Sequence, residues 1–159
     1  MEGTIEVATS SYRAVGEGHW RVDQPDGKAV EQFEFESRHS HLNIYELQRF
    51  DLKKAYTISS HNETVCKNTT LTGAMPLVWS WLTTATYVGK KTVHHTEYDL
   101  WSATVAGVKL EVAVMDSDPS FLAFFGRKSS TEDVSVIVHK WSVNKPESQW
   151  FDVPKECSH

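Results

Sequence analysis

The chain has 159 residues, the length of one ordinary domain. Its residues are 40% hydrophobic and 23% charged, a composition typical of a folded globular protein that excludes a disordered or fibrous chain. The formal net charge of −5 disfavours a nucleic-acid backbone as the main partner. No apolar run approaches the ~20 residues of a membrane-spanning helix, and the N-terminus lacks the pattern of a secretory signal.

Hydrophobic and polar residues alternate along most of the chain, which predicts half-buried β-strands. The alternating segments are rich in Val, Thr, Ile and aromatic residues, which suit a pleated sheet, and turn residues separate them. Strands do not alternate with helical segments, so we expect roughly eight to eleven antiparallel strands. The clearest predicted strands are residues 30–36, 42–50, 55–58, 108–114 and 134–138.

Only one helix is predicted, between Asp118 and Gly126. Asp118 can cap it, Pro119 suits the first helical position, and Gly126 can end it after the apolar run 121–125. The segment 77–82 fits either a buried strand or the start of a helix, and we predict that it is extended, because its two tryptophans then share one face. The sequence has no internal repeat or linker, so residues 1–159 are expected to form a single domain.

The two cysteines, Cys66 and Cys157, fit either one disulfide bridge or two free thiols. Glycosylation sequons at Asn62 and Asn68 flank Cys66, which favours an exposed segment in the secretory pathway. Disulfides persist in that compartment, so we favour the bridge. Closing a loop of about 90 residues would stabilise the fold by about 4–5 kcal/mol and would tie the C-terminal tail, residues 144–159, to the sheet.

Four segments, in this order along the chain, resemble the ependymin-related family. They are residues 54–58 with Cys66 and the turn 71–73, residues 85–89 with Trp101, residues 112–116 with Pro119, and the ending Phe-x-x-Pro-x-x-Cys of residues 151–157. The resemblance covers residues 40–157, about three quarters of the chain. Vertebrate members carry further cysteines that have no counterpart here, so only the Cys66–Cys157 bridge carries over.

The resemblance implies an all-β fold in which two curved antiparallel sheets enclose an apolar pocket. This sandwich or half-barrel would be similar to bacterial lipoprotein carriers and would contain at most one or two short helices. The resemblance also implies a secreted or lysosomal glycoprotein that forms homodimers and binds a lipid-like ligand without catalysis. Some members of the family bind calcium, but no motif in this sequence assigns a calcium site to named residues.

A lipocalin is the competing interpretation, because Gly18, His19 and Trp20 form a G-x-W motif near the N-terminus. Where a lipocalin needs its long helix, however, this chain has the β-branched run 134–138, which resists helix formation. Both interpretations place a hydrophobic or amphiphilic small molecule in a cavity walled by β-strands.

Residues that could carry chemistry are sparse. His95, Glu97 and Asp99 would share one face of an extended strand, as would His39 and His41, but closed metal sites usually gather ligands from several segments. His94, Asp99 and Ser102 lie close in sequence without a Gly-x-Ser-x-Gly elbow or a phosphate-binding loop. The sequence therefore predicts neither a catalytic residue nor a metal site nor a cofactor.

Aromatic residues concentrate between positions 79 and 125, in greater number than a two-sheet core of this size usually requires. We predict that this set contacts a hydrophobic or amphiphilic ligand: Trp79, Trp81, Tyr87, Trp101, Phe121, Phe124 and Phe125. The head group of this ligand would face Lys90, Lys91, His94 and His95. The alternative is an extracellular adhesion or interaction protein whose rings contact another protein.

Overall fold

A computed structural model gives the fold and describes residues 1–11, 13–37, 40–60 and 64–157. The strands found there are β1 Glu2–Thr9, β2 Arg13–Asp23, β3 Lys28–Ser37, β4 Ser40–Arg49, β5 Lys54–Ser60, β6 Thr64–Thr70, β7 Thr86–Val93, β8 Thr96–Val105, β9 Val108–Val114, β10 Leu122–Lys128 and β11 Glu132–Lys140. Three short 3₁₀ helices are η1 Ser80–Thr84, η2 Ser148–Phe151 and η3 Lys155–Cys157. Among the described helices, none has the length and apolar character that crossing a membrane requires.

The strands form one large antiparallel sheet with the order β6-β5-β4-β3-β2-β1-β11-β10-β9-β8-β7. The predicted all-β antiparallel class with few short helices is confirmed. The prediction divided the strands between two sheets, whereas here they follow one hydrogen-bonded order. The predicted strand 134–138 lies inside β11, so this segment does not supply the helix that a lipocalin requires.

Two compact units divide the chain. Unit 1 contains Met1–Val15 and Val78–Val143, and unit 2 contains Gly16–Leu77 and Asn144–His159. The single domain over residues 1–159 stays a prediction.

Unit 1 buries apolar residues on both faces of its strands. On one face, Val112 of β9, Val136 of β11 and Ile5 of β1 are buried, and the period-two alternation of these strands directs their neighbours to the opposite face. On that opposite face, Val93 and Phe124 pack with other apolar residues in a separate cluster. The aromatic residues of unit 1 are therefore distributed over two faces.

Unit 2 buries one sheet face beneath the C-terminal tail. Val30, Leu47 and Tyr56, from β3, β4 and β5, pack against Phe151 and Cys157. The predicted disulfide is confirmed, because Cys66 in β6 is bonded to Cys157 with their Cα atoms 5.5 Å apart. The tail contains only the two short helices η2 and η3, yet the bridge and the burial of Phe151 hold it against the strands.

Two of the predicted elements are wrong. In place of a helix over 118–126, Asp118 Oδ1 accepts hydrogen bonds from the backbone N–H and the hydroxyl of Ser120, and the chain turns back into β10. A helix cap and such a turn use the same side-chain acceptor. The long-range pairing of β10 with β9 and β11 decides between them.

The second wrong element is the extended segment 77–82, which contains a turn and the start of η1. The hydroxyls of Thr83 and Thr84 donate hydrogen bonds to the carbonyls of Ser80 and Trp81, at 2.8 and 2.9 Å. These bonds satisfy carbonyl groups of the short helix, and Trp81 is buried against the rest of unit 1. Trp79 and Trp81 are therefore neighbours through a turn and not along a strand face.

Candidate functional site

A row of apolar side chains crosses four neighbouring strands of unit 1. Tyr87 of β7 lies opposite Trp101 of β8, Trp101 lies opposite Val112 of β9, and Val112 lies opposite Phe125 of β10. Residues directly opposite each other in a sheet project from the same face, so these four form a continuous row. We call Tyr87, Trp101, Val112 and Phe125 the aromatic row.

The aromatic row is exposed at its β7 end. Tyr87 is 50% exposed and Trp101 is 37% exposed, and their rings contact each other edge to face at 5.8 Å. Val88, next to Tyr87, is also 53% exposed. Because large aromatic side chains normally gain from burial, two half-exposed rings in contact mark a surface that is suited to an apolar partner.

The other end of the row is covered by tryptophans. Trp79 contacts Phe125 edge to face, with ring centroids 6.0 Å apart. The ring of Trp79 also lies 6.4 Å from that of Trp81 and 6.0 Å from that of Trp141. We call Trp79, Trp81, Phe125 and Trp141 the tryptophan cluster; it shares Phe125 with the aromatic row, and the two together form the candidate site.

An ion pair borders the row on the same face. Asp99 lies two residues before Trp101 in β8, and the Lys90 ammonium donates a 2.5 Å hydrogen bond to Asp99 Oδ1. This hydrogen bond raises the pKa of Lys90 above its ordinary value, which already lies far above neutral pH. The site therefore combines an apolar surface with a polar border, the combination that suits an amphiphilic molecule.

Five of the seven predicted ligand residues lie in this site, namely Trp79, Trp81, Tyr87, Trp101 and Phe125. Phe124 projects from the opposite face, where the Lys91 ammonium lies 3.8 Å from its ring centroid and covers it by a cation–π contact. Phe121 lies in the turn before β10 and is exposed. A ligand-binding role stays a prediction for all seven residues.

The predicted head-group residues are not gathered in one place. Lys90 is paired with Asp99 beside the row, whereas Lys91 covers Phe124 on the other face. His94 and His95 form the turn between β7 and β8, both with left-handed backbone. The ring of His94 lies 5.9 Å from that of His139.

The structure does not bring together His95, Glu97 and Asp99 as a metal site, or His94, Asp99 and Ser102 as a catalytic triad. Asp99 and Ser102 are three residues apart in β8 and therefore project from opposite faces. His95 and Glu97 are exposed, while the Asp99 carboxylate is bonded to Lys90. His39 lies outside the described residues. Within the described ranges, no three His, Cys, Asp or Glu side chains gather as a metal site.

The two sequons have different outcomes. Asn62 lies outside the described residues. Asn68 is exposed in β6, the strand at one end of the sheet order, so its side-chain amide is accessible to modification. Its glycosylation stays a prediction.

Trp141 belongs to the tryptophan cluster but was not predicted as a site residue. It follows β11 directly, and its only sequence signal is a large aromatic residue at the end of an alternating strand. That position says nothing about the ring it will contact, because η1, which lies about sixty residues earlier, brings Trp79 to it.

Several solved structures are similar to this chain. The chain is similar to a crystal structure of MucB in complex with MucA(peri), with 14% sequence identity and a TM-score of 0.42. The match covers 98% of this chain and 54% of that chain, so this chain spans about half of its length. No family model matches the sequence, and no curated protein matches it significantly. Membership of the ependymin-related family therefore stays a prediction.

Proposed function

We propose that this protein binds the apolar part of an amphiphilic lipid at the aromatic row of unit 1, without chemical conversion of the ligand. The observation that carries the proposal is the pair of half-exposed rings, Tyr87 and Trp101, which continue through Val112 into the partly buried tryptophan cluster. The binding surface consists of this chain's own side chains, and the proposal includes no cofactor.

The physical reason is the burial of hydrocarbon. Each methylene group that leaves water for an apolar surface contributes about 0.8 kcal/mol. Rigid aromatic side chains lose little conformational entropy when they form such a contact. The ion pair of Lys90 and Asp99 borders this apolar surface, and the partly exposed ammonium of Lys90 stays in contact with water there.

We propose a secreted or lysosomal glycoprotein, and the disulfide and the exposure of Asn68 support this. Membership of the ependymin-related family and the formation of a homodimer rest on the sequence resemblance alone.

The test is a fluorescence titration with the methyl ester of 10-(1-pyrenyl)decanoic acid, whose pyrene group accepts excitation energy from tryptophan. We expect saturable energy transfer in the purified protein. Trp101→Ser removes the exposed ring from the row and should weaken binding about tenfold. Lipid extraction followed by mass spectrometry should also recover an acyl lipid from protein purified without added ligand.

Val143→Ser is the matched control, because Val143 is 75% exposed in the same unit and lies outside the row and the cluster. It should leave the affinity unchanged. If the folded protein binds no probe, or if both variants weaken binding equally, the lipid-binding role is wrong. The exposed rings would then be better explained as a contact surface for another protein, the adhesion alternative.

A further inference from the structure

One polar atom of the candidate site lacks a partner. The indole Nε1 of Trp141 is buried and has no hydrogen-bond acceptor among the described residues. Buried indole N–H groups normally donate a hydrogen bond, and leaving such a donor unpaired is unfavourable. The donor is thus a feature of the site that the packing of the protein itself does not explain.

The position of this donor connects it to the proposed ligand surface. The ring of Trp141 meets the ring of Trp79 edge to face, at 6.0 Å and 80°. Trp79 in turn contacts Phe125, the last member of the aromatic row. One ring therefore separates the residue carrying the donor from the surface on which a hydrocarbon chain would lie.

We infer that Trp141 supplies the specific polar contact of this site, by donating its indole N–H to the carbonyl oxygen of an acyl ester. This inference rests on the proposed function and deepens it, because it names the chemical class of the ligand. The donor is uncharged and lies among aromatic rings, so it suits a neutral ester carbonyl better than a carboxylate, which would bring an unpaired charge into an apolar setting. A pure hydrocarbon would leave the donor unpaired.

The experiment compares two probes that share the pyrene group and a ten-carbon chain. The methyl ester of 10-(1-pyrenyl)decanoic acid carries a carbonyl oxygen, and 1-decylpyrene carries none. We expect the unmodified protein to bind the ester about tenfold more tightly than decylpyrene. Trp141→Phe keeps an aromatic ring but removes the N–H, and it should bring the affinity ratio of the two probes close to one.

Trp101→Phe is the matched control, because it makes the same substitution in the aromatic row. It should weaken both probes and preserve their ratio. A second measurement follows the unmodified protein directly and uses the variant only to assign one resonance. With ¹⁵N-labelled tryptophan, the indole resonance that disappears in Trp141→Phe should shift with the ester and not with decylpyrene.

Two further results distinguish the failure of this inference from that of the proposed function. If both probes bind with equal affinity, or if Trp141→Phe preserves the preference for the ester, then water or another group satisfies the donor and the inference is wrong, while lipid binding stands. If neither probe binds to the folded protein, the proposed function and this inference are both wrong.

Discussion

Arg49 connects three parts of unit 2 through one side chain. Its Nε and Nη2 atoms donate hydrogen bonds of 2.7 and 2.6 Å to the two carboxylate oxygens of Asp51. Its Nη1 atom donates a 2.8 Å hydrogen bond to the backbone carbonyl of Phe151 in the C-terminal tail. A planar guanidinium can make all these bonds at once, which the single ammonium of a lysine cannot do.

This pairing predicts a dependence of stability on pH. The hydrogen bond from Arg49 lowers the pKa of Asp51 below its ordinary value. The unfolded chain therefore takes up the proton more readily than the folded protein does. The stabilisation is complete above about pH 5 and is lost as the pH falls through about 4 toward the lower pKa of the folded state.

Asp51→Asn should accordingly lower the free energy of unfolding by about 1 kcal/mol at pH 7, a value reduced by the partial exposure of the pair. The difference from the unmodified protein should shrink toward zero near pH 2. Urea unfolding at both pH values measures it. In an Arg49→Gln background the same substitution should have little pH-dependent effect, and a persistent effect there would show that Arg49 is not the cause.

At the scale of elements, the C-terminal tail is held by several independent contacts in unit 2. The Lys145 ammonium lies 2.9 Å from Asp26 Oδ2 and 3.3 Å from Asp23 Oδ2, and its hydrogen bond lowers the pKa of Asp26. The guanidinium of Arg21 lies 3.6 Å from the centroid of the Trp150 ring. The Cys66–Cys157 bridge fixes the end of the tail.

We expect the bridge to be the strongest of these contacts. Its two cysteines are 91 residues apart, so reduction or Cys157→Ser should lower the free energy of unfolding by several kcal/mol, with about 4–5 kcal/mol as the upper limit. The tail should then loosen and expose Trp150. Thermal melts and the red shift of tryptophan emission, with and without reductant, measure both effects.

Cys66→Ser is the matched variant, because it removes the same bridge by changing the other cysteine. It should lower the free energy of unfolding by the same amount as Cys157→Ser. A native protein with two titratable thiols, or one whose melting temperature does not change with reductant, would contradict this assignment.

For the whole molecule, ligand binding and stability must be linked. A ligand that binds only the folded protein raises the free energy of unfolding by about 2.7 kcal/mol when its free concentration is one hundred times Kd. In a chain of 159 residues this corresponds to a rise in Tm of roughly 5–10 °C. The pyrenyl ester should therefore raise Tm progressively with concentration.

Trp101→Ser should need about ten times more ester for the same rise in Tm, because its affinity for the probe is lower. Hydrogen exchange of the complex should show slower exchange in β7 to β10, the strands that carry the aromatic row. A Tm that is independent of probe concentration would contradict specific binding to the folded state.

The sequence by itself determined the all-β class of the fold and the positions of most strands along the chain. Period-two alternation and β-branched residues are local properties, and they predicted β3, β5, β9 and β11 within a few residues. The bridge was also predictable, because the sequons that flank Cys66 favour the secretory pathway, where disulfides persist, and two cysteines then offer one intramolecular pairing. Segments 77–82 and 118–126 were predicted wrongly, since a cap, a turn and a short helix share the same local residues.

The composition of the candidate site was decided only by the tertiary structure. The sequence indicated which rings are abundant, but pairing register determines the face on which each one lies. An irregularity in register between Leu122 and Phe124 of β10 helps to set which residues face the row. Phe125 therefore joins the aromatic row while Phe124 lies on the other face. Trp141 meets Trp79 for a similar reason, because contacts between residues far apart in sequence depend on how the strands between them pair.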